Sequence, residues 1–327
     1  MARIVIVCSD KPTAVKRVAR FVVDWCNECP YHGLGGATGR TYTAVWDAIW
    51  AQLDANPAAR ERVVTQSVVF LDEYFGALPS YYHWAWRTLR VDRDGFSAAH
   101  IHLPRGLFFE SGQIVSSTRL EEILREHPAD WKACTVAGEQ DSPPEIRITP
   151  DATHPVLKEI GRSLYAYECA VQLQNRRLQL LGIGVGGAIA TNPQAGGHIG
   201  FVECGAAASD TGVMLVRTAP STRNANRDDF LLHNGDGPAT FEPALHAVTQ
   251  GIGSILSASH LLMAAWGQTK RAAVERMLLG TPGPLNPAAW VQTHQRVTVC
   301  LDPAAFGTLP QAVLHERGWE VEFQSSA

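Results

Sequence analysis

Several short stretches of the chain set acid–base or anion-binding side chains beside glycines or apolar runs. The first is Gly35-Gly36-Ala37-Thr38-Gly39. Glycines there let backbone N–H groups approach an anion, and a helix that follows adds its positive end. The stretch has no Gly-Lys-Ser/Thr and no full Gly-x-Gly-x-x-Gly, so it also reads as a tight turn. The second is Asp72-Glu73, directly after Val68-Val69-Phe70-Leu71. A carboxyl at the end of a dry strand is partly desolvated, which lifts its pKa toward the range of a general base. An acid in that place also serves as a helix cap. The third is His198, after Gly196-Gly197, with Glu203 five residues on. An imidazole beside a carboxylate can exchange protons near neutral pH, or simply sit satisfied in a core. Last come two cations, Arg223 in Ser221-Thr222-Arg223-Asn224-Ala225-Asn226-Arg227 and Lys270 in Gly267-Gln268-Thr269-Lys270-Arg271. A lysine opening a helix opposes the helix dipole. A bound phosphate would compensate it, and solvent is the alternative.

These groups need a scaffold, and the hydrophobic pattern supplies one. Arg3–Val7, Val68–Leu71, Leu178–Ile183, Val213–Val216, Leu261–Ala265 and Val297–Leu301 are short, continuous apolar runs. Between them, Pro12–Trp25, Thr43–Leu53 and Lys270–Leu279 carry apolar residues at helical spacing. Gly33–Thr41 reads as a glycine-rich turn. Strands that are apolar on both faces, alternating with helices, predict a doubly wound, mostly parallel α/β sheet with helices on both faces. In such a sheet ligands bind at the carboxyl ends of the strands, where all the stretches above fall. One segment breaks the rhythm. Residues 107–155 are polar and proline-rich, and they hold one helix at Ser117–Glu126 capped by Ser117 or Thr118 with Glu121 at capping-box distance. It reads as an inserted, lid-like segment within a single domain spanning residues 1–327.

The 327 residues are 46% hydrophobic and 18% charged, a composition that builds a sizeable core and excludes a disordered chain. A formal net charge of −4 argues against nucleic-acid binding as the main task. No apolar stretch has the roughly 20 residues of a membrane span, and the N-terminal apolar run is too short for a signal peptide. The expected place of work is therefore the cytoplasm, with no membrane partner. Seven scattered cysteines do not form a disulfide pattern. Cys26, Cys29 and His32 have a metal-like spacing, but zinc wants four ligands and no second pair matches. They read as plain thiols and an ordinary histidine.

Taken in order, these stretches resemble the glucosamine-6-phosphate deaminase family, whose wider relatives include 6-phosphogluconolactonase, ribose-5-phosphate isomerase and the CoA transferases. The resemblance rests on Gly35–Gly39, Leu71-Asp72-Glu73-Tyr74, Gly197-His198-Ile199-Gly200-Phe201 with Glu203, and Thr222-Arg223-Asn224-Ala225-Asn226. It is completed by Gln250-Gly251-Ile252-Gly253, Gly267-Gln268-Thr269-Lys270 and Val291-Gln292-Thr293-His294. It implies a small-molecule sugar phosphate as partner, gripped by Gly36, Thr38, Gly39, Arg223 and Lys270. It further implies that Asp72 moves a proton between C2 and C1, that His198 oriented by Glu203 assists ring opening, and that Glu73 and Tyr74 lie near the substrate. The chemistry asks for no metal and no nucleotide cofactor, and a homo-oligomer is left open. Tyr74 favours the deaminase branch, since lactonases usually carry Arg there. A lactonase-like hydrolase and a non-catalytic sugar-phosphate sensor are the rival readings.

The chain also departs from the family pattern. The deaminases place an Asp two residues before the loop histidine, and this chain has Gly196 there. The loop before His198 is longer, and Val202-Glu203-Cys204 replaces the usual Asn-Glu-Pro. Gly196 offers His198 neither charge nor orientation, so a distant acid is one candidate to fill its place.

Overall fold

The computed structural model describes residues 2–29, 32–78, 80–134, 145–205, 210–233 and 244–325, with the side chains of 227–233 left out. The strands are β1 (Ala2–Cys8), β2 (Gly33–Gly36), β3 (Ser67–Phe70), β4 (Asp72–Tyr74), β5 (Ile101–His102), β6 (Phe109–Glu110), β7 (Gln113–Ile114) and β8 (Trp131–Cys134). They continue with β9 (Glu145–Ile148), β10 (Arg176–Gly182), β11 (Met214–Arg217), β12 (His246–Thr249), β13 (Leu261–Ala265), β14 (Arg296–Leu301) and β15 (Glu320–Gln324). The α-helices are α1 (Lys11–Glu28), α2 (Gly39–Asp54), α3 (Pro57–Val64), α4 (Tyr81–Thr88), α5 (Ser117–Glu126) and α6 (Pro155–Leu173). After them come α7 (Pro220–His233), α8 (Ile252–Leu256), α9 (Arg271–Leu279), α10 (Pro303–Phe306) and α11 (Gln311–Glu316).

Eight strands form one sheet in the order β15-β1-β14-β13-β10-β2-β3-β5, every neighbouring pair parallel. This is the α/β arrangement that the apolar runs predict, flanked by helices and built as one domain. The chain winds outward from β2 toward β5, then returns to β10 and winds the other way toward β14. The reversal opens a crevice between β2 and β10, at the carboxyl ends of both strands, which is where open α/β sheets bind ligands. Helix starts are fixed locally. Asp10 accepts from Thr13 N at 2.8 Å to cap α1, with Pro12 in the first turn, and Asn56 caps α3 in the same way.

Gly33–Gly36 is not a turn but a buried strand between β10 and β3. Its glycines are required by what lies over them. A Cβ on Gly35 would fall 2.0 Å from Gln179 Oε1, and one on Gly36 would fall 2.8 Å from the Phe70 ring. The four residues lack any apolar periodicity, so only their neighbours reveal the strand.

A second sheet, β4-β12-β11-β9-β8, is antiparallel. The Val213–Val216 run, read as part of the parallel sheet, pairs here as β11. Strands β8 and β9 from the 107–155 segment lie in this sheet, so the segment is woven into the fold rather than laid over an edge as a flap; its residues 135–144 lie outside the described ones. Leu120, Ile123 and Leu124 of α5 join Phe75, Phe108, Ile146, Leu157, Ile160, Leu215 and Val248 in a second core. The cap of α5 is Ser116, whose Oγ accepts from Arg119 N at 3.1 Å, one residue earlier than the sequence suggests. Glu121 is drawn away from a capping role by Arg217 and the buried His246, with 2.9 Å to His246 Nε2, and those partners hold its carboxyl down to about 2.

Leu71 is the junction between the sheets. Its N–H donates to Gly36 O at 3.1 Å, and its carbonyl accepts from Gln250 N at 2.7 Å. The next residue, Asp72, already pairs with Thr249 of β12. Asp72 therefore stands where the chain leaves one sheet for the other, beside the crevice.

Candidate active site

Thr38 occupies the N-cap position of α2, yet its side chain makes no capping bond. Its hydroxyl donates to Asp72 Oδ1 at 2.9 Å. The first amides of α2 thus receive no capping bond from the Thr38 side chain. Asp72 is 6% exposed. Burial pushes its carboxyl up to about 7, against the opposing pull of the Thr38 hydrogen bond and the field of His198. Gly200, with φ +55°, lets the chain after His198 pass close over this carboxyl; a Cβ there would lie 3.7 Å from Asp72 Oδ2 and 2.7 Å from Thr249 Oγ1.

His198 is buried and packed face-on against Gly184, where a Cβ would land 1.8 Å from its Nε2. On the other side its Nδ1 lies 3.1 Å from Glu203 Oε2. Glu203 accepts from Thr222 Oγ1 through its other oxygen. Burial alone would raise the Glu203 carboxyl, but His198, Thr222 and the Ala219 backbone together outweigh it and hold the carboxyl below its usual range. The result is a line of Thr222, Glu203 and His198, in which the carboxylate lies beside an imidazole nitrogen that makes no well-directed hydrogen bond among the described residues.

Helix α7 supplies more than Thr222. Ser221 Oγ accepts from Gly187 N at 3.1 Å, and Asn226 Nδ2 donates to the Tyr74 hydroxyl at 2.9 Å. Arg40 Nη2 of α2 donates to Ala225 O at 2.7 Å, tying the two helices together. Arg223 lies on the same turn as Thr222, and its Nε is buried with no hydrogen-bond partner among the described residues. Lys270 ends the short 3₁₀ turn Gln268–Lys270 that follows β13, on the strand next to β10. Gly36 ends β2 and Thr38 and Gly39 open α2, Lys270 follows β13 of the same parallel sheet, and Arg223 lies on α7, which follows β11 of the antiparallel sheet.

Glu73 and Tyr74 are placed differently from the expectation. Glu73 accepts from the backbone N–H groups of Tyr74, Tyr81 and Tyr82 at 2.7, 3.0 and 2.8 Å, which makes it a cap for α4; burial lifts its carboxyl to about 7. Tyr74 is fully buried. Both line a cleft of about 290 Å³ with Leu78, Tyr82, Trp86 and Leu103, a cleft that includes neither Asp72 nor His198.

The place beside Gly196 is filled, though not by an acid. Asn286 is 3% exposed and donates from Nδ2 to Arg276 O at 2.8 Å. Its Oδ1 lies where a side chain on residue 196 would begin, 1.7 Å from that Cβ position, with no hydrogen-bond partner among the described residues. A neutral amide 90 residues away in sequence thus occupies the space, and no local signal could have announced it. Thr222 and Asn226 were within the motif that sequence reading singled out, but only the structure shows what they hold. Among the described residues no group of three or more His, Cys, Asp or Glu side chains could hold a metal ion. No helix among the described residues is long and apolar enough to cross a membrane.

The fold and the crevice define a class. The solved structure of a monomeric glucosamine-6-phosphate deaminase superposes with a TM-score of 0.62 at 22% identity, covering 93% of this chain and 98% of that one. A 6-phosphogluconolactonase from Trypanosoma cruzi superposes with a TM-score of 0.57 at 16% identity, covering 94% and 98%. The architecture is the one these two kinds of protein share. No family model matches the sequence. Relatives do: the glucosamine-6-phosphate deaminase of Rhodopirellula baltica is 29% identical over 303 residues, 92% of this chain and 93% of that protein. That of Bifidobacterium longum (strain DJO10A) is 26% identical over 330 residues, covering 97% and 98%, and that of Corynebacterium urealyticum is 35% identical over 164 residues, half of this chain. Over nearly its whole length the chain is similar to glucosamine-6-phosphate deaminases, at modest identity.

Proposed function

We propose that this protein isomerises and deaminates a 2-amino-hexose phosphate, glucosamine 6-phosphate or a close analogue, giving the ketose phosphate and ammonia. The observation that carries the reading is the Asp72 carboxyl, buried, hydrogen-bonded by Thr38 and raised to about 7, so that it can take and return a proton at neutral pH. In the proposed sequence the substrate phosphate is held by the amides of Gly36, Thr38 and Gly39 and by Arg223 and Lys270. His198, steadied by Glu203, passes a proton to the ring oxygen as the pyranose opens. Asp72 removes the C2 proton and delivers it to C1. With a second proton passing from the C2 ammonium to O1, C1 becomes an alcohol carbon and C2 an iminium, which water hydrolyses to the ketone with loss of ammonia. The phosphate grip lies away from the reacting carbons, so its binding energy orients the sugar. The names of the full-length relatives support the same substrate class.

The test is ammonia release on incubation with glucosamine 6-phosphate, read beside isomerisation of a hexose phosphate without the amino group. Ammonia from the first supports the reading. Turnover of 6-phosphogluconolactone with no ammonia from the amino sugar would move the protein to the lactonases, and binding of both ligands without turnover would make it a sensor.

A further inference from the structure

The Gln250-Gly251-Ile252-Gly253 stretch has no part in the chemistry above, yet Gln250 is fully buried beside it. Its backbone N–H donates to Leu71 O at 2.7 Å and its Nε2 donates to Phe70 O at 2.9 Å. These are the two carbonyls that precede Asp72. Its Oε1 accepts from Arg176 Nη1 at 2.9 Å. Arg176 is 3% exposed. Its Nη1 also donates to Gln179 Oε1, and its Nη2 donates to Ser254 O and, at 2.8 Å, to Ser257 Oγ. All these acceptors are neutral, although the Glu168 carboxylate, which accepts from Ser254 Oγ, adds a field that favours the guanidinium charge. Burial draws the guanidinium pKa down to about 10, so it stays charged at neutral pH. Gln179, the second glutamine on Arg176, lies against Gly35 in β2, the strand that leads to Thr38.

We infer that Arg176 and Gln250 are positioning residues for the proposed base: one buried cation reaches Asp72 through Gln250 and Phe70–Leu71, and reaches Thr38 through Gln179 and β2. A guanidinium buried among neutral acceptors is costly, and plain packing would be better served by an apolar side chain. What the charge adds is rigidity. Charge-assisted bonds are the stronger kind, and a polarised Gln250 amide donates more strongly to Phe70 O. The Phe70 carbonyl also accepts from the Tyr167 hydroxyl at 2.7 Å, so Gln250 shares the hold on it; the guanidinium is the point common to the two strand ends whose side chains meet as Thr38 Oγ1 and Asp72 Oδ1. The inference rests on Asp72 being the base.

The experiment uses the whole enzyme with glucosamine 6-phosphate. Gln250→Met keeps the volume and removes both polar groups; Gln250→Glu keeps an acceptor for Arg176 and loses the donor to Phe70 O. Misplacing a reacting group by about 1 Å costs on the order of 10²-fold, so kcat should fall by roughly 10- to 100-fold in both variants while KM stays within about 2-fold. The Thr38 hydrogen bond lowers the Asp72 pKa, so loosening it should move the acid limb of kcat to higher pH. If Gln250→Met does not fold, Gln250→Asn, one methylene short of Phe70 O and Arg176, should show the same split. A parental kcat with an unmoved limb overturns the inference. So does a loss spread equally over kcat and KM with an unmoved limb, which is general structural damage. Asp72→Asn separates the two levels: if it turns over normally the base assignment fails, and if it is dead while Gln250→Met is normal only the positioning role fails.

Discussion

Replacing Asp72 by Asn should stabilise the fold, and by an amount that depends on pH. The carboxyl goes from 3.8 to about 7 in the folded protein, chiefly through burial, while an unfolded aspartate titrates near 3.9. Below about pH 4 both states hold the proton and Asp72 costs the fold nothing. Between about pH 4 and 7 the unfolded chain releases its proton first, so stability is lost as pH rises. Above about pH 7 the folded state carries a charge it disfavours, at a cost of up to about 4 kcal/mol, at about 1.36 kcal/mol per pH unit. Asparagine removes that cost, and its Oδ1 can still accept from Thr38. Urea midpoints measured from pH 4 to 9 should therefore coincide near pH 4 and separate in favour of Asp72→Asn above pH 7. Glu73, also raised to about 7, is present in both proteins and cancels from the difference. A difference that is constant across the range, or an Asn variant that is weaker at pH 8, would refute the reasoning.

Gly184→Ala should drive a methyl group into the His198 ring, 1.8 Å from Nε2 as it stands. It should cost about 1–3 kcal/mol in a melting experiment, as overpacking does, and displace the imidazole enough to depress turnover. Gly196→Asp alone should lower stability, because its Cβ meets Asn286 Oδ1; paired with Asn286→Gly it should recover stability, and melting curves of the single and double variants check this. Lys270→Ala should weaken binding of phosphorylated ligands by about 1.5–3 kcal/mol and leave a non-phosphorylated analogue nearly unaffected, read by calorimetry.

Much of this was legible in the chain because burial writes itself into composition. Strands apolar on both faces, such as β13 and β14, announce a covered parallel sheet, and α1 shows its core side as a helical stripe from Ala14 to Cys26. Asp72, His198 and Glu203 could be singled out because each stands just past a strand or glycine turn. What stayed hidden depends on contacts distant in sequence. β2 is all glycine but for Leu34, and it is a strand only because Gln179 and Phe70 lie over it. β8 and β9 carry a mixed burial pattern and find their sheet only by pairing, β8 with β9 and β9 with β11. Glu73 looked like a partner of Asp72 in chemistry. Alternation along β4 sends the two side chains to opposite faces, and Glu73 caps a helix that begins eight residues later. Asn286 behind Gly196 and Arg176 behind Gln250 are pairings across 90 and 74 residues, which no window on the sequence spans.

The central claim is that a buried Asp72 works as the base of an amino-sugar phosphate deaminase. It is tested most directly by ammonia released from glucosamine 6-phosphate at pH 8, by the parent protein beside Asp72→Asn. The account predicts ammonia and ketose phosphate in equal amounts from the parent. It predicts a loss on the order of 10²–10⁴ in rate for the variant, with phosphate-ligand affinity kept within a few-fold. A parent that releases no ammonia at saturating substrate, or an Asp72→Asn protein that turns over at the parental rate, would contradict it.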